Sequence, residues 1–206
     1  MIFETIVVGA YQANCYVLAC VSGGGAIIID PGDEAARIRR VIARHSLTPE
    51  LIVNTHGHID HIGGNDAFGV PVYVHERDLP LLRQPELNLS NLLNSPYKVA
   101  AAIKTVKEGD TIESGGVGLE VLHIPGHTPG GIALLMRKPQ QSMVFTGDSL
   151  FRQGIGRTDF PGADETALIL AIKTKLLRLP DDTIVYPGHG PASTIGDEKR
   201  LNPFLK

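Results

Sequence analysis

The chain has 206 residues, 43% of them hydrophobic and 20% charged, with a formal net charge of -3. That length supports one domain with a substantial core, and the balance is that of a soluble globular protein. It speaks against a nucleic-acid surface, which needs a basic stripe, and no apolar run approaches the roughly 18 residues of a membrane span.

The opening "MIFETIVVGAYQANCY" has no basic segment followed by an apolar stretch and a small-residue cleavage site, so a cytoplasmic protein is expected. "IFETIVV", "CYVLAC" and, after "SGGG", "AIIID" read as strands. Five residues of strand separate Cys15 from Cys20 by ~16 Å, beyond the roughly 7 Å that a disulfide tolerates. Both are therefore expected to be reduced, buried, small apolar residues. A helix is predicted over 33–45, where Ile38, Val41 and Ile42 recur at helical spacing. "ELIVN" (50–54) and "PVYVH" (71–75) are short strands on either side of a histidine-rich loop. The stretch 84–97, "QPELNLSNLLNSPY", has no clear period and reads either as a connection or as a flap over the site.

In the second half, "GLEVLHIP", "GIALLMRK" and "SMVFTGD" are strand-like, and a helix is predicted over 164–179. Asp164 and Glu165 open that helix and Pro180 ends it. "TIVYPG" is a final strand and "IGDEKRLNPFL" a short terminal helix. Each half reads as a sheet with helices on one face. Two such sheets packed face to face predict an α/β protein, a four-layer αββα sandwich forming a single domain over 1–206.

The chemistry concentrates in "NTHGHIDHIGG" (54–64), which places three histidines and an aspartate within six residues. On a helix His56 and Asp60 share a face while His58 lies nearly opposite; on a strand His61 points away from the other three. The segment is therefore expected to be a loop that divides its donors between two nearby points, which suggests two metal ions. Other donors follow apolar strands in the same manner: Asp30 in "IIIDPG", His127 in "IPGHTPGG", Asp148 in "VFTGDSL" and His189 in "VYPGHGP". Glycine in these turns permits close backbone approach. His56, His58, Asp60, His61, His127, Asp148 and His189 make seven nitrogen or oxygen donors. Two ions sharing a carboxylate and a water need about seven. The set suits Zn²⁺, and imidazole with carboxylate also suits Fe²⁺ and Mn²⁺.

Together, "THGHIDHIGG", "PGHTPGG", "TGDSL" and "YPGHGP" resemble the metallo-β-lactamase superfamily. More narrowly, "GRTDFPG" and "PGHGPASTIGDEKRLNPFL" resemble short glyoxalase II-type, hydroxyacylglutathione hydrolase-like proteins. The resemblance implies that His56, His58 and His127 hold one metal, that Asp60, His61 and His189 hold the other, and that Asp148 bridges them. It gives Asp30 a supporting role behind the histidine loop. The implied reaction is hydrolysis of a small acyl-thiol, such as the glutathione thioester S-lactoylglutathione, by a metal-bound hydroxide that Asp60 orients. A thioester suits such a site because its thiolate leaves without a strong proton donor.

His45, His75 and His123 are read as structural. Arg152 and Arg157 follow Asp148 in "SLFRQGIGRTDF"; Arg157 pairs either with a substrate carboxylate or with Asp159 as a clasp. Full-length glyoxalase II enzymes carry a C-terminal helical region with basic residues for glutathione, and this sequence ends soon after "PGHGPAS". The rival reading is a persulfide dioxygenase of the same fold, with a single iron on His56, His127 and Asp148. A metal-bearing binding module is the non-enzymatic alternative.

Overall fold

The computed structural model describes residues 1–138 and 140–206. The first sheet runs in order β1 (Ile2–Val8), β2 (Ala13–Ala19), β3 (Gly25–Ile29), β4 (Thr48–Val53), β5 (Val72–His75) and β6 (Ile103–Val106). β1 to β3 are antiparallel and β3 to β6 parallel. The second sheet holds β7 (Thr111–Ser114), β8 (Val117–His123), β9 (Ile132–Met136) and β10 (Met143–Gly147) as antiparallel neighbours. Beyond a small hairpin, β11 (Leu150–Phe151) and β12 (Gly154–Ile155), it is completed by β13 (Ile184–Pro187), parallel to β10, and by β14 (Ser193–Thr194).

Three apolar layers make this the expected four-layer αββα sandwich. Side chains alternate across each strand, so β2 sends Tyr16 and Leu18 between the sheets and Cys15 and Val17 to the outer face. β9 likewise sends Ile132 and Leu134 inward and Ala133 and Leu135 outward. α1 (Ala35–Arg44) covers the first outer face through Ile38 and Ile42, one helical turn apart. α4 (Glu165–Thr174) covers the second through Leu168, Ala171 and Ile172. Between them in the chain lie two short helices, α2 (Ile59–Ile62) and α3 (Leu79–Arg83), and the chain closes with α5 (Ile195–Leu201). Among the described residues no helix is long and apolar enough to cross a membrane.

Several local expectations need correction. The histidine stretch is not loop throughout: α2 is a single helical turn that carries Asp60 and His61. The helix expected over 164–179 stops at Thr174 and tightens into a 3₁₀ turn, Leu176–Arg178. Asp164 caps its start by accepting a hydrogen bond from the Ala167 amide, 3.0 Å, whereas Glu34, at the head of α1, accepts instead from the Gly9 amide, 3.1 Å. β6 and β7 went unforeseen because both are short edge strands with charged residues, which blunt the alternation. Both cysteines are unpaired, but only Cys15 is buried. Cys20 is exposed because it follows the end of β2, where the chain leaves the sheet.

Candidate metal centre

Every donor picked out in the sequence lies beyond the carboxyl end of a strand: Asp30 after β3, His56 to His61 after β4, His127 after β8, Asp148 after β10 and His189 after β13. The parallel pairs β3/β4 and β10/β13 deliver their C-terminal ends to the same edge of their sheets. The backbone there is packed too tightly for side chains. A Cβ on Gly188 would stand 2.1 Å from Asp148 Oδ1, and Gly147, at φ +49°, would press one to 2.3 Å from Thr55 Oγ1.

All seven donors converge. His56, His58 and His127 present ligand atoms within 4.8 Å of one another, and so do Asp60, His61 and His189. A third grouping, His56, His61 and Asp148, links the two. Asp148 Oδ1 lies 3.4 Å from His61 Nε2, and its Oδ2 lies 3.7 Å from His127 Nε2 and 3.6 Å from His189 Nε2. Asp60 Oδ2 is 3.3 Å from His189 Nε2.

Three of the rings are anchored on their far side. His127 Nδ1 faces the Arg157 carbonyl at 2.8 Å, His189 Nδ1 the Tyr11 carbonyl at 3.0 Å, and His61 Nδ1 the Asp30 carboxylate at 3.0 Å. Asp30 is itself held by the Thr55 amide and hydroxyl at 2.7 and 2.6 Å. A carbonyl can only accept, so His127 and His189 donate from Nδ1 and leave Nε2 as the nitrogen turned inward. This is how metal-ligating histidines are oriented.

The donor set fits a divalent cation on two further grounds. His56 Nε2 and Asp148 Oδ1 are buried without any hydrogen-bond partner. His61 Nε2 and His189 Nε2 stand 3.3 Å apart, a spacing that requires a proton or a metal ion between the two nitrogens.

Electrostatics divide the site in two. Burial and the neighbouring imidazoles keep His56 well below the usual histidine range, and burial with His127 alongside takes His58 to about 3. Burial also opposes a charge on His61, yet Asp148, Asp60 and Asp30 together raise it to about 10. Burial and Asp60 pull His189 in opposite directions, and the hydrogen bond to Asp60, with Asp148 nearby, leaves it above its ordinary value. Asp60 is held below the ordinary carboxylate range: burial works against this, but His61 and His189 outweigh it.

One supporting residue escaped the sequence reading. Asp78 is fully buried and accepts from the Gly57 amide (3.0 Å), the Thr128 hydroxyl (2.8 Å) and the Gly130 amide (2.5 Å). It thereby ties the turn carrying His56 and His58 to the turn carrying His127. Burial pushes its carboxyl up to about 6, against the pull of those three donors. The available signal was its place shortly after the strand "VYVH", where the other acids of the site also occur relative to their strands.

Arg157 lies at the mouth in a bidentate pair with Asp159, 2.9 and 2.7 Å, its guanidinium 4.5 Å above the Phe160 ring centroid. The clasp is thus the arrangement present. The 84–97 segment reaches the cleft: Asn88 is buried, its carbonyl accepts from the Ile59 amide at 2.9 Å, and Leu89, Leu92 and Leu93 line the cleft. His75 and His123 stack on each other at 4.0 Å, and His45 meets Glu4 at 2.6 Å, all outside the convergent set.

Comparison with known proteins agrees with this geometry. Residues 8–189 match the model of the Metallo-beta-lactamase superfamily. The chain is 41% identical to the hydroxyacylglutathione hydrolase GloC of Haemophilus influenzae, over 100% of this chain and 98% of that one. Among solved structures, the B3 metallo-beta-lactamase BLEG-1 superposes with a TM-score of 0.92 at 40% identity, covering 100% of both chains. TTHA1623, solved in a di-iron-bound form, superposes with a TM-score of 0.84 at 38% identity, over 98% of this chain and 100% of that one. A matched family model spanning most of the chain, on a fold that brings histidines and aspartates from both sheets to one place, places this protein in the Metallo-beta-lactamase superfamily.

Proposed function

We propose that the chain is a binuclear metal-dependent hydrolase that cleaves a small acyl-thiol thioester, S-lactoylglutathione being one candidate. In this reading His56, His58 and His127 hold one divalent ion, Asp60, His61 and His189 hold the second, and Asp148 bridges. The observation that carries it is the reach of Asp148, within 3.4 to 3.7 Å of histidines from both groups. Donors limited to nitrogen and oxygen favour Zn²⁺, with Fe²⁺ or Mn²⁺ compatible. The ions, when bound, would lower the pKa of a water and polarise the acyl carbonyl.

The protein's own groups set the rest. Asp60 is the more open of the two carboxylates, 22% exposed against 13% for Asp148, so it is placed to orient the attacking water. Asp30, Asp78 and the carbonyls of Tyr11 and Arg157 hold the rings in register. The water oxygen bonds to the acyl carbon, the carbon–sulfur bond breaks, and its electron pair leaves on sulfur. One water proton ends on the sulfur and the other is released, so the products are a carboxylate, a thiol and a proton. A thiol with an ordinary pKa of ~8.5 leaves as thiolate with little help, so the step needs no dedicated acid. A substrate carboxylate at Arg157 would compete with Asp159.

The relationship to GloC and the reduced cysteines support a small-molecule thioester and a cytoplasmic setting. A mononuclear iron oxygenase on His56, His127 and Asp148 leaves the Asp60, His61 and His189 group without a role, and this favours the hydrolase. Elemental analysis of protein purified without added metal, paired with a thioester assay, tests the proposal. About two ions per chain and thioester cleavage are expected; one iron, with oxygen uptake on glutathione persulfide, overturns it.

A further inference from the structure

The cleft over the metal-binding groups has a volume of about 450 Å³ and is walled mainly by apolar side chains. One set, Ile59, Leu89, Leu92 and Leu93 with Tyr11, comes from α2, the 84–97 segment and the β1–β2 turn. The second, Phe151, Ile155 and Phe160, comes from the β11–β12 hairpin and the loop after it. Leu92, Leu93 and Tyr11 are 74%, 41% and 56% exposed, an uncommon outlay of large apolar surface gathered at one opening. This part of the segment is not slack, since the Asn88 side chain donates to the Leu81 and Tyr97 carbonyls, both at 2.9 Å.

Charge at the mouth points the same way. Among the described residues lining the cleft, Arg157 is the one lysine or arginine, and Asp159 already occupies both arms of its fork. Glutathione brings two carboxylates, for which this lining offers no free lysine or arginine.

Resting on the thioester-hydrolase reading, we infer that the preferred substrate carries an apolar acyl chain on an uncharged thiol, with the chain seated against Leu92, Leu93 and Phe151. Glutathione thioesters are then secondary substrates.

The test uses the metal-loaded protein and S-acyl N-acetylcysteamine thioesters from acetyl to octanoyl, with S-lactoylglutathione as the anionic comparator. kcat/KM should climb about three- to fourfold per methylene up to hexanoyl, since each buried CH₂ contributes that factor, and hexanoyl should exceed S-lactoylglutathione by roughly tenfold. The L92Q/L93Q double variant should flatten the series. L170Q, at an equally exposed leucine outside the cleft, should keep the slope. A flat series, or a preference for S-lactoylglutathione, overturns the inference while leaving thioester hydrolysis in place. Should no thioester be cleaved, the hydrolase reading fails by itself. Calorimetric binding of S-alkyl N-acetylcysteamine thioethers then decides the apolar cleft: affinity rising with chain length upholds it, and no rise removes it.

Discussion

His56, His58 and His127 offer nitrogen only and are packed among one another, whereas Asp60, His61 and His189 mix carboxylate with imidazole, and only Asp60 and His189 of these reach solvent. His56 and His58 are neutral at physiological pH because burial and like neighbours penalise their charge. Without a metal, His61, equally buried, favours its cationic form because Asp148, Asp60 and Asp30 surround it. The same side chain, at the same depth, thus takes opposite charge states within one site. Depth alone does not set a pKa; the sign of the nearest neighbours does.

Removing the group common to both halves has the largest expected consequence. Asp148→Ala should lower hydrolysis by roughly three orders of magnitude or more and empty at least one metal position, read by elemental analysis beside the assay. A fully metallated, active variant would refute the bridging role. His58→Ala and His189→Ala separate the halves: each should retain about one ion per chain, and loss of both ions from either variant would show that the halves load as one unit.

Asp78→Asn tests support on one half only. It keeps the shape but replaces an acceptor oxygen with an amide that faces donors, so a stability loss of about 1–3 kcal/mol is expected. Metal affinity should fall roughly 10- to 100-fold, more at His56, His58 and His127 than at the other group. Equal weakening of both would count against the assignment.

The pH response should differ in the same sense. Metal entering beside His61 must displace a proton up to a pH of about 10, so affinity there should rise with pH by up to about tenfold per unit. Across neutral pH His56 and His58, both held below the usual histidine range, should add little to the change. Calorimetry in buffers of different ionisation enthalpy reads the released proton. In the metal-free protein, His58 is held near 3 when folded against 6.5 unfolded. The unfolded chain binds more protons in that window, so this contribution is lost as pH falls from 6.5. For His61 the sign reverses: its contribution is complete below 6.5 and disappears as pH rises through about 10. The smallest effect is expected at the rim, where Asp159→Asn should free Arg157 and improve KM for glutathione thioesters by about threefold or less.

The donors could be picked out from the linear chain because each is local chemistry: an aspartate or histidine in a glycine-bearing turn after a strand whose residues alternate inward and outward. The layered fold was legible for the same reason, since alternation in "CYVLAC" and helical spacing of Ile38 and Ile42 are properties of neighbouring residues. Asp78 was not legible, because its meaning lies in amides that join it from 21 and 52 positions away. Nor were the leucines of 84–97, which have no period of their own and become a wall of the cleft only where Asn88 pins the segment beside Ile59. Residue identity determined which groups could bind a cation. Tertiary packing decided which of them share a charge environment, because desolvation and Coulomb attraction act through space and are blind to order along the chain.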